Sequence, residues 1–265
     1  MKTLIVIPAR WKSTRFPGKP LHAIAGVSML ARTADVARRA GEASGAQIVI
    51  ATDDQRIADH ATAIGVASVM TDPELPSGTD RARAAMQLMA PDAAFVVNLQ
   101  GDAPFTPHGH VAALIDNAAR GDVVTPVVQL SWPALDALRM RKQQTPFSGT
   151  TCIRGPNGQA LWFSKTILPA MRNEAALRKR PHSPVFQHIG LYGYSRAALE
   201  RIANLKPSHY EELEGLEQLR FLENGLRVHA VEVKAGDMPM SGIDTPEDAV
   251  HAEAMLKLHG DPYRR

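Results

Sequence analysis

Arg10, Lys12, Arg15 and Lys19 place four cations on one short stretch that also carries Pro8, Pro17, Gly18 and Pro20. Any one of them reads as solvated surface, but together on a Gly/Pro loop they suit a polyanion. Proline lowers the entropy lost when a phosphate is gripped, and glycine lets the backbone come close to it. The stretch lacks the upstream Gly and following Ser or Thr of a P-loop, and no G-x-G-x-x-G follows, so two common nucleotide loops are excluded. Carboxylates supply the complementary chemistry: Asp102 follows an apolar run and Gly101, and Asp244 precedes Thr245-Pro246-Glu247-Asp248. Two such side chains can share one magnesium ion, which prefers an octahedral oxygen shell and keeps several waters. Asp244 reads equally as a plain N-cap, and Asp53-Asp54, ending another strand, is an alternative metal position.

These side chains need a scaffold, and the apolar pattern predicts one. Thr3 to Ile7 is short, branched and uninterrupted, as in a strand covered on both faces. Ligands of such sheets bind beyond the carboxyl ends of the strands, where the basic loop begins. Ser28 is the predicted cap of a helix that buries Met29, Leu30, Thr33, Val36, Ala37 and Ala40 and stops at Gly41. Strands at 47–51, 67–70 and 94–99 alternate with helices at 56–64 and 80–89. The alternation predicts an α/β fold, a doubly wound, mostly parallel sheet with right-handed crossovers. After about residue 125 the pattern loosens, with prolines at 126, 133, 146 and 156. An Asn157-Gly158 turn between 151–154 and 160–164 predicts a β-hairpin there. The expectation is one domain over 1–265 with a smaller β-containing lobe at about 125–200. A strand at 191–194, one helix over 211–223, a strand at 227–233 and a helix over 246–258 complete it.

The single cysteine, Cys152, excludes an intramolecular disulfide, and there is no basic leader and no apolar run of membrane-spanning length. Both point to a cytoplasmic protein. Thirty Lys and Arg are interspersed with 27 Asp and Glu, and aromatics are few, which favours small anionic ligands over nucleic acid. Arg178-Lys179-Arg180, beside Pro181 and Pro184, reads as a mobile surface loop without function, and His108 and His110 as surface loop rather than zinc ligands.

The run Ile7-Pro8-Ala9-Arg10, with Ser13-Thr14-Arg15 and Pro17-Gly18-Lys19-Pro20-Leu21, resembles the N-terminal signature of the sugar nucleotidylyltransferases that charge 2-keto sugar acids with CMP. It is most similar to the 3-deoxy-manno-octulosonate cytidylyltransferases. Ala51-Thr52-Asp53-Asp54, Pro76-Ser77-Gly78-Thr79-Asp80-Arg81, Asn98-Leu99-Gln100-Gly101-Asp102, His188-Ile189-Gly190-Leu191-Tyr192, Leu216-Glu217-Gln218-Leu219-Arg220 and Gly242-Ile243-Asp244-Thr245-Pro246 follow in the family's order. The resemblance implies Mg2+-dependent transfer of CMP from CTP to the anomeric hydroxyl of 3-deoxy-manno-octulosonate or a close 2-keto sugar acid. Pyrophosphate would leave, in lipopolysaccharide or capsule synthesis, and the enzyme would be a homodimer with much of its interface in the middle lobe. By the same resemblance Arg10, Lys19, Asp102 and Asp244 are catalytic, with both aspartates on the metal. Arg10, Ser13, Arg15, Lys19, Ser77, Arg81 and Gln100 would bind the nucleotide, and His188, Tyr192, Glu217 and Gln218 the sugar hydroxyls. Arg154, outside the matching blocks, is the candidate for the sugar carboxylate.

Three positions depart from the pattern, among them Trp162, which stands where the family usually has Tyr. Ala103 stands where the family usually has Glu, and Lys165 where it usually has Arg. An ammonium does not reproduce the two parallel hydrogen bonds of a guanidinium, which leaves a nonulosonic acid as an alternative acceptor. The lost carboxylate at 103 leaves a further alternative, a nucleotide-binding protein without catalysis.

Overall fold

Leu4, Ile5, Val6 and Ile7 are fully buried, which fixes where the basic loop must emerge. In the computed structural model, which describes residues 1–12, 15–236 and 242–264, they form β1 (Thr3–Ala9). Ser13, expected at the nucleotide, and Thr14 lie outside the described residues. The chain divides into two units, Met1–Ile115 with Gly236–Arg265, and Asp116–Ala235.

The first unit continues with the short antiparallel pair β2 (Ala23–Ile24) and β3 (Val27–Ser28), then α1 (Met29–Gly41), β4 (Gln47–Thr52), α2 (Gln55–Ala63), β5 (Ala67–Met70), α3 (Gly78–Met89), β6 (Phe95–Asn98) and α4 (His108–Asp116). Its sheet runs β5-β4-β1-β6 with every pair parallel, Ile5 lying opposite Ile48 on one side and Val97 on the other. Helices start where side chains satisfy the free N–H groups. The hydroxyl of Ser28 accepts from Ala31 N, the Asp54 carboxylate from Arg56 N and the Ser77 hydroxyl from Asp80 N. His108 and His110 open α4 and His110 is buried, so the surface-loop reading of this pair is corrected: Pro107 ends a loop and admits a helix immediately after it.

The second unit holds β7 (Val123–Ser131), α5 (Trp132–Gln144), β8 (Thr150–Arg154), β9 (Ala160–Ser164), α6 (Glu174–Leu177), β10 (His182–His188), β11 (Tyr192–Ser195), α7 (Arg196–Ile202), α8 (His209–Glu214), α9 (Glu217–Glu223) and β12 (Val228–Glu232). β7 pairs antiparallel with β10 and β11 and parallel with β12, while β8 joins β10 to β9 by antiparallel pairs. The unit therefore reaches further than the 125–200 segment in both directions, because α9 and β12 return to it. The single helix expected over 211–223 is two, broken at Gly215, whose φ of 63° is left-handed. Arg178 is fastened to Asp136 and Glu174 and lies over Trp132, and Arg180 O accepts from the Trp132 indole, so the basic run is tied to α5 rather than loose.

α10 (Pro246–His259) belongs to the first unit. Ile243, Ala249, Ala252 and Leu256 pack with Phe16, Ile24, Met29 and Phe105 into a core that ties the last helix to the basic loop. Burying Ile243 completely contributes about 1.5–3 kcal/mol and draws its neighbour Asp244 to this end of the sheet.

Candidate functional site

Beyond the carboxyl ends of β1 and β6 lies a cavity of about 370 Å³ lined by Arg10, Lys12, Arg15, Lys19, Ser77, Gly78, Arg81, Gln100, Gly101, Asp102 and Asp244, among others. Five cationic side chains face two carboxylates there, so the lining favours an anion. The start of α3 opens on the same space through Ser77 and Gly78, adding the positive end of a helix dipole.

Asp102 and Asp244, far apart in sequence, meet through their backbones: Ile243 N donates to Asp102 O at 2.9 Å. Their carboxylates converge on one ammonium, with Lys19 Nζ 2.6 Å from Asp102 Oδ2 and 3.3 Å from Asp244 Oδ1. Arg15 Nη2 is also 3.3 Å from Asp244 Oδ1. The N-cap of α10 is Thr245, which forms a capping box with Asp248, and Asp248 also accepts the backbone N–H of Asp244 at 2.9 Å. Asp244 is thus released from capping and faces the cavity. Two oxygen donors that already converge on a cation suit a hard divalent ion, whose remaining ligands would be water and phosphate oxygens. Among the described residues no group of three or more His, Cys, Asp or Glu is arranged for a metal.

The alternative acidic pair has other duties. Asp54 caps α2 and holds the Arg56 guanidinium through two bonds, of 2.8 and 2.6 Å, while Asp53 pairs with Arg81 at 3.3 Å. Arg81 is buried, and burial pulls its pKa down while Asp53 opposes the shift and nearby Arg10 adds to it. Among the remaining nucleotide candidates, the Ser77 hydroxyl is engaged with Asp80, and Gln100 donates to Asn98 Oδ1 at 3.1 Å. Gly78 was not singled out from sequence, yet a Cβ there would lie 3.0 Å from Gln100 Nε2. At Gly101 a Cβ would lie 2.7 Å from Pro8 O, which explains the glycine before Asp102. Ala103 contributes only backbone, its N–H donating to Gln100 O at 3.0 Å.

The sugar candidates all lie in the second unit. Tyr192 OH donates to Gln218 Oε1 at 3.0 Å, and His188 Nε2 lies 2.8 Å from Thr125 Oγ1. The His188 and Tyr192 rings are 5.5 Å apart. Burial pushes the His188 pKa down to about 3, with Lys165 adding to the shift, and raises that of Tyr192, helped by Tyr194 and Glu217. Both side chains are therefore neutral hydrogen-bonding groups. Gln218 is buried, and its Nε2 has no hydrogen-bond partner among the described residues, which marks a donor aimed at something else. Arg154 is placed differently: Nη1 pairs with Glu232 at 2.8 Å and the guanidinium lies over Phe186. Lys165 is near enough to His188 for its charge to act on that ring.

A cytidylyltransferase family model matches residues 4–230. A 3-deoxy-manno-octulosonate cytidylyltransferase of Maricaulis maris is 41% identical over 98% of this chain and 99% of its own length. Another, from Chlamydia abortus, is 37% identical over 97% of this chain and 95% of its own. Among solved structures, CMP:2-keto-3-deoxy-manno-octonic acid synthetase complexed with CTP matches at a TM-score of 0.82 and 31% identity, covering 97% of this chain and 99% of that one. A cytidylyltransferase from Leptospira borgpetersenii shares the fold at a TM-score of 0.57 and 16% identity, covering 97% and 87%.

Proposed function

Because the chain belongs to the cytidylyltransferase family, and within it to the 3-deoxy-manno-octulosonate cytidylyltransferases, we propose that it transfers CMP from CTP to the anomeric hydroxyl of 3-deoxy-manno-octulosonate. The observation that carries this reading is the convergence of Asp102 and Asp244 on Lys19 in a cavity whose other charged lining residues are all cations. In the reaction the hydroxyl oxygen attacks the α-phosphorus and gives up its proton to solvent, the bond from the α-phosphorus to the oxygen bridging it to the β-phosphate breaks, and pyrophosphate leaves with its developing charge. Positioning and electrostatics supply most of the acceleration in such transfers.

In this reading Arg10, Arg15 and Lys19 hold the triphosphate, and Lys19 moves from the carboxylates to the phosphates as the nucleotide enters. Arg81, Gln100 and the start of α3 at Ser77 take the cytidine. Ser13 completes the set as an expectation from sequence. Asp102 and Asp244 would hold Mg2+, which when bound lowers the pKa of a coordinated hydroxyl and shields phosphate charge. His188, Tyr192, Glu217 and Gln218 take the sugar hydroxyls. Lys165 is preferred over Arg154 for the carboxylate, since Glu232 already holds Arg154.

The same reading makes the protein a cytoplasmic enzyme of lipopolysaccharide or capsule synthesis; among the described residues no helix is long and apolar enough to cross a membrane. A homodimer through the second unit is supported by the exposure of Met140, Phe147 and Leu161. Mixing the protein with CTP, Mg2+ and a panel of 2-keto sugar acids tests the proposal. Mass spectrometry is expected to find the CMP-octulosonate together with pyrophosphate. Turnover of a nonulosonate alone would reassign the acceptor, and CTP binding without any product would leave only a nucleotide-binding protein.

A further inference from the structure

The basic loop is held to the body of the first unit by a side chain that does not line the cavity. Trp11 N donates to Asp53 Oδ1 at 3.4 Å, and Trp11 O accepts from Gly18 N at 3.2 Å, closing the loop at its base. Gly18 has φ of 70°, and a Cβ on it would lie 3.0 Å from the Trp11 ring, so the indole rests directly on the glycine. The Arg56 guanidinium lies over the indole, 3.5 Å from its centroid. That guanidinium is aimed by its two bonds to Asp54, the cap of α2.

We propose that Trp11, clamped between Arg56 and Gly18, is a positioning residue that fixes the spacing of Arg10 and Lys19 across the base of the loop, and so sets the grip on the nucleoside triphosphate. Arg10 and Lys19 are the immediate chain neighbours of the paired residues Trp11 and Gly18, so the clamp reaches both cations through one peptide each. A planar, weakly hydrated guanidinium stacks well on an aromatic face, which a lysine would not reproduce at this position. Without the clamp, binding has to order the loop and align its cations in the same step, and affinity falls by that cost.

The inference rests on the reading that CTP occupies this cavity, and the test separates the two. Steady-state kinetics with CTP and 3-deoxy-manno-octulosonate, with calorimetry of CTP binding, are compared for wild type, Trp11→Ala, Trp11→Phe and Arg56→Gln. Trp11→Ala is expected to raise the KM for CTP about tenfold while the KM for the sugar acid stays within about twofold. Trp11→Phe should recover most of the loss, and Arg56→Gln should raise the KM for CTP about threefold. Unchanged CTP affinity in both Trp11→Ala and Arg56→Gln, or equal increases in KM for both substrates, would overturn the latch. If Trp11→Ala fails to fold, Arg56→Gln decides, since its side chain is 57% exposed. Wild-type protein that binds no CTP would overturn the functional reading as well, whereas normal wild type beside unaltered variants overturns the latch alone.

Discussion

In the first unit the charged side chains Lys19, Arg15, Asp102 and Asp244 are paired with one another, whereas in the second the neutral groups His188 and Gln218 are buried and Tyr192 half-buried, with Tyr192 donating to Gln218 and His188 set against Thr125. The contrast follows from the ligands each suits. A triphosphate carries charge that mobile cations can follow, and its affinity comes from Coulomb attraction in a cavity open to solvent. A polyhydroxylated sugar carries directional donors and acceptors, so discrimination requires polar groups withdrawn from water, which are costly when left unpaired. The Nε2 of Gln218, which has no hydrogen-bond partner among the described residues, is that cost made visible.

The comparison predicts effects of different size and kind in the two units. Lys19→Met should lower turnover by about 10²-fold or more with little change in melting temperature, because it removes charge stabilisation where charge develops. Loss of fold instead of turnover would make Lys19 a structural partner of Asp102. Gln218→Leu should raise the KM for the sugar acid by about tenfold or more and leave the KM for CTP near wild type, since it removes a directional donor together with the acceptor of the Tyr192 hydroxyl, both in the second unit. A matching rise for CTP would blur the division between the units.

The smallest effect concerns pH. His188 has its pKa depressed to about 3 by burial, so between that value and the ordinary 6.5 the unfolded chain binds a proton that the folded chain refuses. The stability due to neutral His188 is complete above about pH 6.5 and declines as pH falls toward 3. The melting temperature of wild type should therefore drop more between pH 7 and pH 5 than that of His188→Gln. Parallel profiles would place His188 in a more solvated setting.

Much of the first unit was legible because its strands are continuous apolar runs and its motifs sit at their ends: β1, β4, β5 and β6 fall close to the expected runs. The joining of Asp102 to Asp244 depended on the family pattern, since no local signal reveals that Ile243 N bonds Asp102 O. The second unit is less legible because proline in a sequence signals a loop. Pro126 lies inside β7, opposite Val231 of β12, and Pro133 occupies the first turn of α5, where a missing N–H costs nothing. Gly215 is hard to read as a break because runs of good helix formers, Glu211 to Glu214 and Glu217 to Glu223, flank it on both sides. Trp11 carried no signal, since its partner Arg56 is brought to it by the fold.

Pyrophosphate release with CTP, 3-deoxy-manno-octulosonate and Mg2+ in wild type, Asp102→Asn and Asp244→Asn is the most direct test of whether these two carboxylates and the basic loop form one catalytic site. Each substitution is predicted to slow release by about 10²-fold or more while the melting temperature stays within a few degrees of wild type. Wild-type rates in both variants would contradict the account.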